Sequence, residues 1–526
     1  MSIARASLVM IAALVASRIL GWLRLSVFGA AFGETSQLDA FWAAFRIPDA
    51  LFNLVVAGAL TSAFIPVFAG YLAKERENEA WHVASTVMNV LVVSLMILSG
   101  LMWLAAPWLV PTLIVSPSFA SQPGQLELTI QLTRIMLLSP IFMGLSALVT
   151  GVLQSYRQFL AGAIAPLVYN GVQILFALFA TPFLGINALA YGVVAGAVMM
   201  FLVQLPELTF RRTKYQLTFD LSHPGVREIF LLAGPRTLAL GAVQIVFFVD
   251  TYLASGMRAG SLTALNYAFQ LMLLPLGVYS IAISAAVFPA LSHYASLGQA
   301  AKMRDALQQA IRWILFLTLP TAILMVVLRR PIVNLLFQYG EFGPDARELV
   351  QATFLFYALG LAGHALVQIL ARAYYASRDT TTPVALTLIS IGANVVLSVT
   401  LAPVFGINGL ALANSIATLL EAGLLLLLLA PRARLRLVGL GYATLKQVTA
   451  ALFMGVSMFF FINATNIPLN LAQDPPKLLL FVQTFLAAAF GVGVYLLAAW
   501  AIRIEELQEV VAVVRARFRR REVEVT

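Results

Sequence analysis

The sequence has no cysteine and only four histidines among 526 residues. A disulfide framework, a thiolate metal site and a cysteine nucleophile are therefore excluded. Charge is scarce too: 11% of residues are charged against 61% hydrophobic, and the mean hydropathy is +0.91. A soluble protein of this length needs far more polar surface, so the solvent of this chain is the bilayer. The signatures of nucleotide and hydrolase chemistry are missing as well. There is no Walker loop, no Gly-x-Ser-x-Gly elbow and no cluster of metal-ligating histidines. Transport by such a chain runs on ion gradients or on the membrane potential.

Apolar stretches of about 20 residues recur from the first residues to Trp500, each long enough to cross roughly 30 Å of hydrocarbon as a helix. They predict helices near 5–30, 39–72, 82–110, 128–153, 159–181, 186–209, 226–255, 262–292, 306–328, 349–374, 382–402, 407–430, 442–463 and 478–502. The expected fold is an all-α polytopic membrane protein of about 14 transmembrane helices. The first stretch, Ser2 to Gly33, is too long for a signal peptide and lacks a small-residue cleavage site, so it reads as a retained first helix.

The net charge of +10 follows the membrane rather than nucleic acid. With the N-terminus inside, cytoplasmic connections hold Lys74, Arg76, Arg157, Arg211, Arg212, Lys214, Lys302, Arg304, Arg378, Arg432, Arg434 and Arg436. External connections are nearly bare, with Arg258, Arg329, Arg330 and Lys477 the exceptions. That asymmetry places both termini in the cytoplasm. A basic amphipathic tail containing Arg515, Arg517, Arg519, Arg520 and Arg521 is expected to lie on the anionic inner leaflet.

The chain repeats itself. Pro182, Gly185, Ile186, Asn187, Leu189 and Ala190 recur as Pro403, Gly406, Ile407, Asn408, Leu410 and Ala411, an offset of 221. Ala63, Pro66 and Tyr71 recur as Ala286, Pro289 and Tyr294, an offset of 223. Two concordant offsets predict two pseudo-symmetric six-helix lobes in parallel orientation with a substrate path between them. The expected organisation is 1–215 and 216–436 as lobes, 437–505 as two additional helices, and 506–526 as the tail.

Charged residues inside membrane helices are costly, about 2.5–3.5 kcal/mol for a central arginine, and mark function. Helix 1 carries Arg18 and Arg24, six residues and about 9 Å apart, with Gly21 between them as a site of close approach or unwinding. Helix 2 carries Asp39, Arg46, Asp49 and Asn53 on one face, and Pro48 is expected to leave a carbonyl open to the same cavity. An internal network pairing Arg46 with Asp39 or Asp49 is the structural reading of that stripe. Arg236 opens helix 7, and Asp250, about 21 Å further along, needs a bound cation, an arginine from another helix, or a proton. Asn394 with Ser398, and Asn414, Thr418 and Glu421, offer oxygens of the kind hard cations prefer, or polar helix packing. Coupling to Na⁺ or H⁺ is the expectation; no cofactor is.

Several of these motifs resemble one family. Ser17-Arg18-Ile19-Leu20-Gly21 with Arg24, Asp39-Ala40-Phe41, Phe45-Arg46-Ile47-Pro48 and Ala63-Phe64-Ile65-Pro66 resemble the start of the MurJ/MviN family of lipid II flippases. Pro235-Arg236 with Gln244, Leu336-Phe337-Gln338-Tyr339-Gly340 before Phe342, and Arg372-Ala373-Tyr374-Tyr375 running to Asp379-Thr380 and Thr382-Pro383 continue the likeness. The resemblance implies the multidrug/oligosaccharidyl-lipid/polysaccharide exporter fold, with the two extra helices forming a groove for a lipid tail. It implies a bacterial inner-membrane protein, expected to be monomeric, moving undecaprenyl-diphosphate-linked disaccharide-peptide (lipid II) outward. The diphosphate would be recognised by Arg18 and Arg24, with Arg46 and Arg236 as additions and Asp39 and Asp49 as gating or pairing acids. Asp250, Asn394, Ser398 and Thr418 are the cation candidates. Two departures stand out: Phe52 and Asn53 late in helix 2, and Gln270 in helix 8, occupy places where the family often has a basic residue. A glutamine donates hydrogen bonds to phosphate without long-range attraction. Alternatives are a flippase for another polyprenyl-linked oligosaccharide, a cation-coupled drug exporter of the same fold, and a membrane glycosyltransferase, which the short external loops around 116–125 and 342–347 disfavour.

Overall fold

The computed structural model describes residues 3–57, 60–209, 214–465 and 476–512, and among them the only regular structure is helix. The tail arginines Arg515 to Arg521 lie outside the described residues. All fourteen expected segments are helical. Ten are long and apolar enough, by length and composition, to span a membrane, and Pro344–Leu359 with Leu361–Ala376, bent by 41°, form an eleventh candidate. The three segments that fall short are the second, seventh and eighth. Parts of these three lie outside the described residues, and shorter apolar stretches such as Ala63–Ala73 and Leu240–Ser255 are what the described residues show of the second and seventh.

Several expected helices are interrupted. The second, read as one helix over 39–72, is Ser36–Phe52, a wider π-turn at Asn53–Ala57, and Leu60–Ala73. The eighth divides in the same way into Ser261–Pro275, a π-turn at Leu276–Ser280, and Ile281–Ser296. The fourth divides into Gln125–Met136 and Ser139–Ser155. A π-turn bonds i to i+5 and inserts one residue into the helix. Apolar composition does not register such an insertion. Gly21, by contrast, lies within an unbroken helix, Ile3–Phe32, with open space where a Cβ would stand.

The repeat is written into the turns. Gly185 and Gly406 adopt the same conformation, φ 56° with ψ −141° and φ 58° with ψ −140°. Each donates its amide four residues back, to Thr181 O and Ala402 O, and accepts one three residues on, from Ala188 and Gly409. Arg157 and Arg378, again 221 apart, share the left-handed region at φ 60° and 61°. Glu75 and Gly298, 223 apart, do the same at φ 59° and 66°, and the two π-turns keep that offset residue for residue.

By packing, the chain divides into two compact units: Met1–Ala264 with Leu336–Ala346, and Leu265–Leu335 with Arg347–Thr526. In the first, Pro224–Ser255 opens the second repeat yet packs on the second helix of the first. A Cβ on Gly241 would stand 2.9 Å from Leu54, and one on Gly225 2.8 Å from Tyr71. In the second unit, Leu437–Ala464 and Lys477–Ala501 dock on Ala300–Val327 through Phe316, Ala450, Met454, Met458 and Tyr495. Tyr495 donates to Phe316 O at 2.9 Å, which removes the cost of burying its hydroxyl.

The two matched glycines make a direct test of the repeat. Their φ/ψ region is open essentially to glycine alone, and no neighbour crowds either Cβ position. Gly185→Ala and Gly406→Ala are each expected to cost roughly 1–3 kcal/mol from backbone strain. Gly298→Ala, in the milder left-handed region, is expected to cost about 1 kcal/mol. Thermal unfolding of the purified protein in detergent checks the order.

Candidate functional site

The polar stripe of the second helix is distributed among several partners. Asp39, 2% exposed, accepts the Gly260 amide at 2.7 Å, the Thr263 amide at 2.8 Å and the Thr263 hydroxyl at 2.7 Å. Those donors belong to the first turn of Ser261–Pro275, whose orphan N–H groups and dipole favour an anion. Asp39 also sits in the first turn of its own helix, capped by Thr35, so two helix N-termini converge on one carboxylate. Of the two acids expected to pair with Arg46, Asp39 is held by this arrangement instead, and Asp49 is the one that interacts electrostatically with the Arg46 guanidinium. Pro48 deprives Ala44 O of its helical donor, and that carbonyl, expected to face a cavity, is approached instead by the Thr133 hydroxyl at 3.4 Å.

Around Asp39 a clasp joins three chain segments of the first unit. Ala30 O, in the last turn of the first helix, accepts the Glu341 amide at 2.9 Å, and the Ser26 hydroxyl donates to Leu336 O. The two backbones pass so close that a Cβ on Gly340 would lie 2.2 Å from Ala30 O, and one on Gly33 2.3 Å from Glu341 O. Both glycines have positive φ, 54° and 59°. Arg258 pairs with Glu34 at 3.2 Å and donates to Asp345 O at 3.3 Å. The loop near 342–347, expected to be external and too short for a catalytic site, therefore has a structural task. The motif ending in Gly340 was the sequence signal, and its close backbone contact was not legible there.

Arg24 and Arg46 lie deeper, eight residues before Phe32 and ten after Ser36, about 12 and 15 Å from the same membrane end. Arg24 donates to Gln173 Oε1 at 3.4 Å and stands 5.9 Å from the Phe28 ring centroid. Gln173 in turn donates to Tyr169 O. Arg46 donates through Nε to the Thr251 hydroxyl at 2.9 Å and lies 5.2 Å from the Phe247 ring centroid. Gln173 and Thr251 are site residues that the sequence did not single out. Neither helix hydropathy nor charge marks a neutral partner.

Arg18, about 21 Å from that end, is exposed. Asp49 is half-buried, and its carbonyl accepts the Asn53 amide group at 2.9 Å, at the start of the π-turn. Arg236 lies in Pro224–Ser255 with its side chain outside the described ones, and Gln270 is half-buried in Ser261–Pro275. The cation candidates fall in both compact units. Asp250 is buried in the first, next to the threonine that receives Arg46. In the second, Ser398 donates to Asn394 at 3.4 Å, Thr418 and Asn414 contact His364 at 3.4 and 3.0 Å, and Thr387 donates to Glu421 at 2.6 Å. Among the described residues no group of three or more His, Cys, Asp or Glu is placed to hold a metal ion.

The chain matches the family model described as lipid II flippase MurJ over residues 28–473. It is 32% identical to a probable lipid II flippase MurJ of Rhizobium tropici over 416 residues, 78% of each chain. With the counterpart of Rhizobium meliloti the identity is 31% over 494 residues, 91% of this chain and 90% of that one. The lipid II flippase MurJ of Burkholderia cenocepacia is 31% identical over 81% of this chain and 84% of its own. Among solved structures, a lipid II flippase MurJ in an inward closed conformation superposes with a TM-score of 0.76 at 23% identity, covering 94% of this chain and 98% of that one. An inward-facing multidrug transporter of the MATE family gives 0.66 at 17% identity, covering 82% and 99%. The two superpositions establish the polytopic fold.

Two outcomes test the clasp. Gly340→Ala should part the end of the first helix from the Tyr339–Phe342 segment, seen as faster amide exchange at 33–35 and 339–342 with the spanning helices unchanged. Glu34, in the turn between the first two helices, is held above the ordinary carboxylate range chiefly by burial, against the opposing Arg258 guanidinium. A carboxyl raised on folding binds more protons in the folded state, so its contribution strengthens as pH falls through the raised value. Protection at the clasp, taken relative to the intrinsic exchange rate at each pH, should accordingly rise on acidification, and Glu34→Gln should remove that response.

Proposed function

Since the chain belongs to the MurJ family of lipid II flippases, we propose that it carries lipid II across the bacterial inner membrane, from the cytoplasmic to the outer leaflet, by alternating access. It is a multi-pass membrane transporter and not an enzyme. The observation that supports the cargo is the placement of Arg24 and Arg46 at similar depth in two neighbouring helices, held by a glutamine, a threonine and aromatic faces. Guanidinium groups match diphosphate oxygens in geometry and in charge. Exposed Arg18 extends that positive path toward the other membrane face, the cytoplasmic one if both termini lie inside. Arg236 is a further candidate in the same compact unit and Gln270 one in the other, and Gln270 and Asn53 leave the eighth and second helices less basic than the family often is.

In this reading the clasp is the outer gate, and the amides and hydroxyl that hold Asp39 are the bonds that opening must break. Membrane potential supplies a driving force without any coupled ion. One elementary charge moved through 100 mV is worth about 2.3 kcal/mol, so a diphosphate with roughly two negative charges gains about 4–5 kcal/mol on leaving a negative interior. Na⁺ or H⁺ at Asp250, or at the oxygens of Asn394, Ser398 and Thr418, would add a second term. The protein acts as a monomer in this scheme.

The MATE-like fold makes drug export the rival reading. A carrier of cationic drugs should present acids where this chain presents Arg24 and Arg46. The deciding experiment is rescue of cells depleted of their own lipid II flippase by this gene, with drug resistance and export of other polyprenyl-linked oligosaccharides scored in parallel. Arg24→Ala and Arg46→Ala should insert and accumulate normally yet lower flipping about tenfold or more, the worth of a charge-assisted hydrogen bond. Collapse of the potential at constant pH and sodium gradient should slow flipping by the wild-type protein. Undiminished flipping after collapse would leave ion coupling as the drive.

A further inference from the structure

Away from these residues, in the second compact unit, a cavity of about 510 Å³ opens where three long helices end together. Ala300–Val327 and Leu437–Ala464 begin there, Lys477–Ala501 ends there, and the short helix over 505–512 closes it. Acidic and basic residues line it in equal number. Most of its acids are already engaged. Glu509 accepts from Gln309 at 3.1 Å and Trp313 at 3.2 Å, and Glu505 pairs with Arg312 at 2.6 Å.

Glu506 is different. It is 3% exposed, and one carboxylate oxygen accepts Arg312 Nε at 2.6 Å while the other is buried without a hydrogen-bond partner. An orphaned carboxylate oxygen on a cavity wall calls for a donor, and a cationic one most of all. The opposite demand arises from the start of Leu437–Ala464. No side chain caps that helix, and at Gly439 the nearest atom to an added Cβ is 3.9 Å away, so the first-turn amides are open to an anion. Arg436 and Arg503 are exposed beside them and Lys446 is half-buried on the cavity wall.

One ligand meets both demands if it carries a phosphate and an N–H cation a few bonds apart. We propose that the cavity binds the headgroup of a phospholipid with a phosphate and a primary ammonium, the ammonium donating to Glu506 and the phosphate lying at the amides with Arg436, Arg503 and Lys446. A lipid fits better than a soluble molecule because the same helix continues into the bilayer with Val438 90%, Leu445 62% and Leu452 54% exposed, spaced by seven on one face. That stripe gives the acyl chains an apolar track leading away from the headgroup. Phosphatidylglycerol offers Glu506 only neutral hydroxyl donors, weaker than an ammonium, and a trimethylated headgroup has no N–H to donate.

The test is native mass spectrometry of the full chain in detergent, titrated with phosphatidylethanolamine, phosphatidylcholine and phosphatidylglycerol of matched acyl chains. Phosphatidylethanolamine should bind about tenfold more tightly than either, the worth of one hydrogen bond to a charged group. Glu506→Gln should erase that preference, and Arg503→Ala with Lys446→Ala should weaken all three lipids. Thermal unfolding of each variant separates lost binding from lost folding, while the wild-type comparison of lipids depends on no variant. Soluble glycerophosphoethanolamine should fail to displace the lipid. Equal binding of the three lipids by the wild-type protein, or displacement by the soluble headgroup at matched concentration, overturns the proposal.

Discussion

Hydrocarbon offers no hydrogen bonds, so any backbone group released where a membrane helix bends, stops or widens has to find its partner within the protein. That constraint organises this molecule. Pro48 releases Ala44 O, and Thr133 approaches it. The last turn of the first helix leaves Ala30 O, and Glu341 supplies an amide. The first turn of Ser261–Pro275 leaves donors, and Asp39 receives them. The bonds that close these helix ends are few, buried and directional, so the arrangement they hold is a definite one.

The same constraint explains what was legible in the sequence. Long apolar helices declare themselves by composition, so all fourteen segments and the duplication could be read before any coordinates. The turn at Gly185 and Gly406 was visible because only glycine accepts its conformation and both copies retain it. The π-turns were not visible. Asn53–Ala57 and Leu276–Ser280 are apolar stretches like their surroundings, and the inserted residue changes hydrogen bonding without changing composition. Asp39 was recognised as a gating or pairing acid, but two of its partners are main-chain amides, which carry no sequence identity at all, and the third is the neutral Thr263 hydroxyl. Gln173 and Thr251 escaped notice for a related reason: uncharged partners of a buried arginine look like ordinary helix-packing residues.

The same fold is found in a lipid II flippase and in a multidrug resistance transporter, so the fold alone does not fix the cargo. The second, seventh and eighth helices carry Asp39, Arg46, Asp49, Arg236, Asp250 and Gln270. The ten long apolar helices keep the frame.

The paired π-turns also date an event. An inserted residue in a membrane helix shifts every side chain beyond it by about 100° and breaks the regular bonding ladder, so it survives only where the surrounding packing has adjusted to it. Both halves of the chain have the insertion at the same place, 223 residues apart, ahead of the same Pro66 and Pro289. Independent acquisition would require two improbable accommodations at matching positions. The economical history is that a six-helix unit already had this irregular turn before it was doubled, so the turn is older than the asymmetry between the halves.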